Sequence, residues 1–183
     1  KIDRKMLEIQ HEILKKEKPD VVFNALHGNW GEDGEIQGFL DVLQIPYTHS
    51  GLRASVIGMD KFLTKELARL NGIKVPDGEM KTFREFREKG TSVPLPYVVK
   101  PVSDGSSVGV YIIRKSEDLT RVRYDDNREI LIEEFIDGQE LTCMVLNGKA
   151  HVVTELRASD EFYDYHAKYT DGVTRHVLPA EIP

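Results

Sequence analysis

The sequence predicts a mixed α/β protein, α+β overall, that opens with a parallel βα-like part. Three observations carry this. Helical and strand-like patterns alternate through the first third; one strand there is a nearly continuous apolar run of the kind buried on both faces of a parallel sheet; and beyond Pro76 short strands follow one another across glycine turns, as antiparallel strands do. Hydrophobic residues make up 40% of the 183, enough for one ordinary core or for parts of two smaller ones.

From Met6 to Leu14, Met6, Leu7, Ile9, Ile13 and Leu14 recur near helical spacing with Lys and Glu between them, and Pro19 stops the run. Asp20–Leu26 is the apolar strand, ended by His27-Gly28. Gln37–Leu43 reads as helix, Ile45–Thr48 as a second short strand, and Asp60–Leu70 as a helix closed by Asn71-Gly72. After Pro76 come a strand at Tyr97–Lys100, a glycine-rich turn, and a strand at Val108–Ile113. A short helical stretch near Ser116–Val122 and a strand at Glu129–Phe135 follow. Beyond a turn at Asp137-Gly138 lies the strand Glu140–Leu146, with its reverse turn at Asn147-Gly148. No internal repeat or low-complexity tract interrupts this order.

Composition excludes several classes of function. A formal net charge of −6 creates no basic field to gather a polynucleotide, so an anionic ligand must be held by a few placed cations. Cys143 is the only cysteine, which rules out an internal disulfide framework and fits a reducing compartment. No apolar run approaches the ~20 residues of a membrane span, and the charged start Lys1–Lys5 is not followed by a signal-peptide core. A cytoplasmic protein with neither nucleic-acid nor membrane partners is expected.

"KPVSDGSSVGV", Lys100–Val110, concentrates glycines, serines and a lysine immediately after an apolar strand. It is not a P-loop, because the lysine precedes the glycines, and it lacks the dinucleotide spacing. A loop of this kind can still offer backbone N–H groups and serine hydroxyls to a phosphate while Lys100 supplies charge. The same composition also suits a plain surface turn between two strands.

Other segments share this double meaning. Lys61, near the start of a helix where positive charge is disfavoured, suits a cation aimed at an anion, or a solvated lysine. Glu133–Ile136 could pair a strand end with a heterocycle edge and Glu140 could accept from sugar hydroxyls, or the segment is a hairpin with charged flanks. "FYDYHAKY" holds four aromatics in eight residues, which suits a lid, an interface or a partly buried strand. His27 and Glu32 occupy a glycine-flanked loop after a strand, where α/β proteins place ligand-contacting residues.

Taken in order, "LHGNWGEDG" (Leu26–Gly34), "MDKFLTK" (Met59–Lys65), "VVKPVSDGSSVGV" (Val98–Val110), "LIEEFIDGQELT" (Leu131–Thr142) and "FYDYHAKYTDG" (Phe162–Gly172) resemble the motifs of D-alanine–D-alanine ligases. Those enzymes have the ATP-grasp fold, and the resemblance runs from about Asp20 to Pro183. It implies a partial substrate-side domain over 1–52, a central ATP-grasp subdomain over 53–133, and the start of a C-terminal subdomain over 134–183.

By that resemblance, Lys61 and Lys100 hold the α and β phosphates of ATP, and Ser106 and Ser107 line the phosphate loop. Glu133, Glu134, Ile136 and Glu140 take the adenine and ribose. Lys168 reaches the γ phosphate, Tyr163 and Tyr169 belong to a closing lid, and Tyr169 bonds Ser106. His27 and Glu32 act at the first D-alanine site. One D-alanine carboxylate would attack ATP to give an acyl phosphate, which the amine of a second D-alanine would capture, for peptidoglycan precursor synthesis. The Tyr169 pattern favours an amino acid over a hydroxy acid as acceptor.

The resemblance further implies magnesium and a homodimer. The family's early glycine-rich segment is not matched, its magnesium ligands are expected beyond Pro183, and the Ser116–Asn127 connection is short. The 183 residues alone are therefore expected to bind nucleotide weakly without turnover. Two other readings stay open: a nucleotide-binding ATP-grasp module, and another ATP-grasp carboxylate–amine ligase.

Overall fold

The helix expected over Met6–Leu14 runs as α1, Arg4–Glu17, in a computed structural model that describes residues 4–105, 107–158 and 174–182. Lys15 and Lys16 lie in its last turn, where the helix dipole favours positive charge. The chain divides into two units, Lys1–Lys74 with Ser103–Gly105, and Val75–Val102 with Ser106–Pro183. No helix among the described residues is long and apolar enough to cross a membrane.

In the first unit, α2 (Glu35–Val42), α3 (Leu52–Met59) and α4 (Lys61–Leu70) follow α1. The core is Trp30, Ile36 and Leu40, with Leu14, Val22, Phe39, Ile45 and Tyr47 packed against it. Asp20–Leu26 departs from the expected doubly buried strand. It pairs only through a parallel bridge from Val22 to Tyr47, and Phe23 is 79% exposed. The bridge is parallel, but neither Asp20–Leu26 nor Ile45–Thr48 extends into the expected strand, so most of the segment's apolar side chains stay uncovered. The helix expected from Asp60 begins at Lys61, because Asp60 is its extended N-cap and accepts from the Leu63 N–H at 2.9 Å. Asn71-Gly72 ends it as expected, with Gly72 at φ 73°.

The second unit is built on a four-stranded antiparallel sheet. Its strands are β1 (Gly78–Thr82), β2 (Tyr97–Pro101), β3 (Tyr111–Ile113) and β4 (Glu129–Glu134), in the order β1-β4-β2-β3. The expected strand over Val108–Ile113 shortens to Tyr111–Ile113, because Ser107 (φ 58°) and Gly109 (φ 68°) turn the chain through the left-handed region first. Helix α5 (Phe83–Lys89) follows β1, and a 3-10 helix covers Ser116–Arg121. A three-stranded antiparallel sheet comprises β5 (Glu140–Leu146), β6 (Lys149–Ala158) and β7 (Thr174–Val177), with a bulge between Cys143 and Val145 on β5.

Strand alternation sorts the four-stranded sheet into two faces. Tyr97, Val99, Ile113, Ile130 and Ile132 point to one side, where Phe83, Phe86 and Val122 complete the core. The register pairs Lys100 with Leu131 and Val98 with Glu133, which puts Lys100, Glu133, Val98 and Leu131 together on the opposite face. Of the candidates in this unit, Lys100 and Glu133 thus lie on the side of the sheet away from its aromatic core, while Glu134, opposite Tyr97, alternates to the other side.

Candidate functional site

In the first unit, the loop Leu26–Gly34 carries His27 and Glu32. The Glu32 carboxylate accepts from the Gly28 N–H at 2.5 Å, and its other oxygen lies 4.0 Å from His27 Nδ1. The loop's shape depends on Gly31, since a Cβ there would lie 2.5 Å from that of Leu26. Two buttresses hold the Gly31 carbonyl: Asn24 Nδ2 at 2.7 Å and Gln37 Nε2 at 2.9 Å. Asp33 adds a third brace, accepting from the Trp30 N–H at 2.7 Å. Gln37, 2% exposed, was missed from sequence; its signal was a polar residue on the Ile36–Leu40 face of an otherwise apolar helix stripe.

Ser103–Gly105 belongs to this same unit. Ser103 bridges Asp60, and a Cβ on Gly105 would meet Gly28 Cα at 3.6 Å and Glu32 Oε2 at 3.8 Å. Lys61 Nζ donates to the Asp104 carbonyl at 2.7 Å. The Lys61 expected near a helix start is therefore there, at the first position of α4, and its ammonium reaches the front of the glycine-rich stretch. The structure brings His27, Glu32 and Lys61 onto segments that this stretch touches.

In the second unit, Lys100 forms a short ion pair with Glu133, and Glu133 is 5% exposed. Glu134 continues β4 and is tied twice to Asp77: its N–H donates to the Asp77 carbonyl at 2.9 Å, and its carboxylate accepts from the Asp77 N–H at 3.0 Å. The Phe135 N–H donates to the Pro96 carbonyl at 3.1 Å. Ile136, just past this anchor, is 59% exposed, and Glu140 opens β5 opposite Leu156. Ser107 sits in the left-handed region and its carbonyl accepts from the Val110 N–H at 3.3 Å. Ser106, Tyr163, Lys168 and Tyr169 lie outside the described residues.

Two family models match the chain: D-ala D-ala ligase N-terminus over residues 2–50 and D-ala D-ala ligase C-terminus over residues 67–183. The chain belongs to the D-alanine–D-alanine ligase family. It is 51% identical over 177 residues to a D-alanine–D-alanine ligase of Zymomonas mobilis, covering 93% of this chain and 55% of that protein. To the one from Parvibaculum lavamentivorans it is 46% identical over 180 residues, covering 96% and 58%. The chain thus spans little more than half the length of these curated relatives.

Among solved structures, the Bacillus anthracis D-alanine–D-alanine ligase complexed with ATP is similar with TM-score 0.72 and 37% identity, over 100% of this chain and 59% of that one. The VanG D-Ala:D-Ser ligase of Enterococcus faecalis is similar with TM-score 0.72 and 30% identity, over 90% and 51%. These neighbours give the chain the ATP-grasp fold. The second also shows that the likeness extends to a ligase with a different acceptor, so acceptor choice does not follow from the fold.

Proposed function

We propose that the protein is a cytoplasmic ligase that joins two D-alanine molecules at the expense of ATP, through an acyl phosphate, to supply D-alanyl-D-alanine for cell-wall precursors. The observation that carries this reading is the side of the four-stranded sheet that bears Lys100 and Glu133. Lys100 stands there at the end of β2, immediately before the glycine turn, while β4 runs out past Glu133 and Glu134 to an exposed Ile136.

An ammonium has three donors, so Lys100 can keep Glu133 while offering another N–H to an α or β phosphate oxygen. Glu134, held by Asp77, fixes the strand end so that its backbone can meet the adenine edge, and Ile136 supplies an apolar surface for the ring. Glu140 accepts from the ribose hydroxyls. In the first unit Lys61 is assigned to a phosphate, and the Gly31-braced loop presents His27, steadied by Glu32, to the first D-alanine. Ser107 with Ser106 forms the phosphate loop, while Tyr163, Lys168 and Tyr169 are assigned to closing the site and excluding water from the acyl phosphate.

Magnesium is assigned no residue here. Among the described residues no three His, Cys, Asp or Glu side chains converge to hold a metal ion, and no step of this mechanism is carried through one.

The test is phosphate release from ATP by the full-length protein with D-alanine, compared with D-serine, D-lactate and L-alanine. D-Alanine-dependent release with formation of the dipeptide is expected. Release triggered only by another carboxylate–amine pair would replace the substrate assignment, and nucleotide binding without release would favour a binding module.

A further inference from the structure

On the core side of the four-stranded sheet lies a cavity of about 630 Å³, entirely within the second unit and remote from the Lys100–Glu133 face. It falls in the size range of small-molecule sites. Phe86, Tyr97, Leu119 and Val122 supply flat and branched apolar walls, while Arg87 and Arg123 supply positive charge. The only carboxylate in the lining, Asp126, is already matched: Arg87 Nη2 approaches it at 2.5 Å and Arg84 Nε at 3.7 Å. Arg87 also lies over the Phe83 ring, 5.3 Å from its centroid. Arg123 meets the Val122 carbonyl at 2.7 Å and no carboxylate among the described residues. The lining thus joins apolar walls to one guanidinium, Arg123, that pairs with no carboxylate among the described residues.

We infer that this cavity is a second ligand site, taking a small carboxylate carried on a flat apolar body, with Arg123 as the anion contact. A guanidinium matches a carboxylate bidentately, and ring walls favour offset or edge contact with a planar ligand.

The same cavity reaches the glycine-rich loop through one residue. Tyr124 lines the cavity and packs edge-on against Phe83 and Tyr111, with ring centroids 5.3 and 5.6 Å apart. Its hydroxyl donates to the Gly109 carbonyl. From the other side, a Cβ on Gly109 would lie 3.2 Å from the Tyr124 ring and 3.3 Å from Pro101. Ring and loop backbone are therefore in contact, and a ligand that immobilises Tyr124 steadies the turn at Ser107–Val110.

The experiment uses the full-length protein without nucleotide or D-alanine, so its outcome is independent of the proposed catalysis. Naphthalene-2-carboxylate is titrated by calorimetry beside its neutral carboxamide, and amide hydrogen exchange is followed with and without the carboxylate. Saturable binding is expected, roughly tenfold weaker for the carboxamide and for Arg123→Gln, as the loss of one charge-assisted contact implies. Leu119→Trp, a change at a partly exposed wall position, should block binding in a protein of unchanged melting temperature. Exchange at Ser107–Val110 should slow on binding, and Tyr124→Phe should remove that slowing. No saturable binding, equal affinity of acid and amide, or binding indifferent to both variants would overturn the site. Tight binding with unchanged exchange would overturn the link to the loop.

Discussion

Lys100 and Glu133 form their ion pair diagonally across β2 and β4, because the register sets Lys100 opposite Leu131 and Val98 opposite Glu133. The carboxylate is almost fully buried, and the ammonium offsets part of the cost of its charge. Lys100→Met should therefore lower the unfolding free energy by about 3 kcal/mol, measured by urea denaturation. Lys100→Met with Glu133→Leu should regain most of that loss, yet bind ATP as poorly as the single variant. Restored ATP affinity in the double variant would remove Lys100 from the phosphate site.

Gly78 in β1 pairs with Glu133, and a Cβ there would fall 2.2 Å from the Ile132 carbonyl oxygen and 2.8 Å from Glu133 Cα. Both obstacles are backbone of the neighbouring strand, so neither can rotate away. Gly78→Ala is expected to cost roughly 1–3 kcal/mol, the range for overpacking, with a matching fall in the urea midpoint. A midpoint equal to that of the unaltered protein would show that β1 does not lie so close to β4.

Helix α5 starts with a capping box in which Thr82 and Glu85 bond each other's backbone. The Thr82 N–H and hydroxyl bind the ionised Glu85 carboxylate and hold it below its ordinary 4.5. A depressed folded-state value means that the stabilisation is present above pH 4.5 and disappears as pH falls through the folded value. The urea midpoints of the unaltered protein and Glu85→Ala should differ at pH 7 and converge as the pH is lowered past 4.5. A gap that stays constant to pH 3 would rule out the carboxylate as its source.

Among the described residues, the Gln37 side chain reaches the Leu26–Gly34 loop through the Gly31 carbonyl alone, so its effect should be positional. Gln37→Met, close in volume, removes one buried hydrogen bond and is expected to cost about 1 kcal/mol of stability. Because Asn24 still holds Gly31, the loop should loosen without unfolding, raising KM for D-alanine severalfold while KM for ATP stays unchanged. Parallel rises in both constants would indicate a general structural defect.

How much of this was legible follows from the kind of signal each element carries. β2, β4 and β5 are apolar runs between turn residues, and α1, α2 and α4 have amphipathic spacing, so they could be read to within a few residues. β1 could not, since Gly78–Thr82 has Met80 as its only large apolar residue; α5 is just seven residues, although the Thr82-to-Glu85 spacing was a usable sign. α3 carries no such signal, because its apolar residues are not gathered on one side. The exposure of Phe23 could not be foreseen, since an apolar run specifies a strand but not how many neighbours it finds. Among the candidate site residues, His27, Glu32, Lys61 and Lys100 are singled out by motif. The Asp104 carbonyl that Lys61 meets, and the Gly31 carbonyl through which Gln37 and Asn24 brace the His27 loop, are main chain, and such contacts leave no mark on residue type.

The irregularity between Cys143 and Val145 gives β5 a consequence in solution. Among the described residues β5 is an outer strand of its sheet, and Leu141, Met144, Val145 and Leu146 are exposed on it. A straight, greasy border of that kind would template the addition of a foreign chain. A register shift of this kind bends the strand and interrupts the regular spacing of its amides and carbonyls, so a strand added along this border would fall out of step at Cys143–Val145.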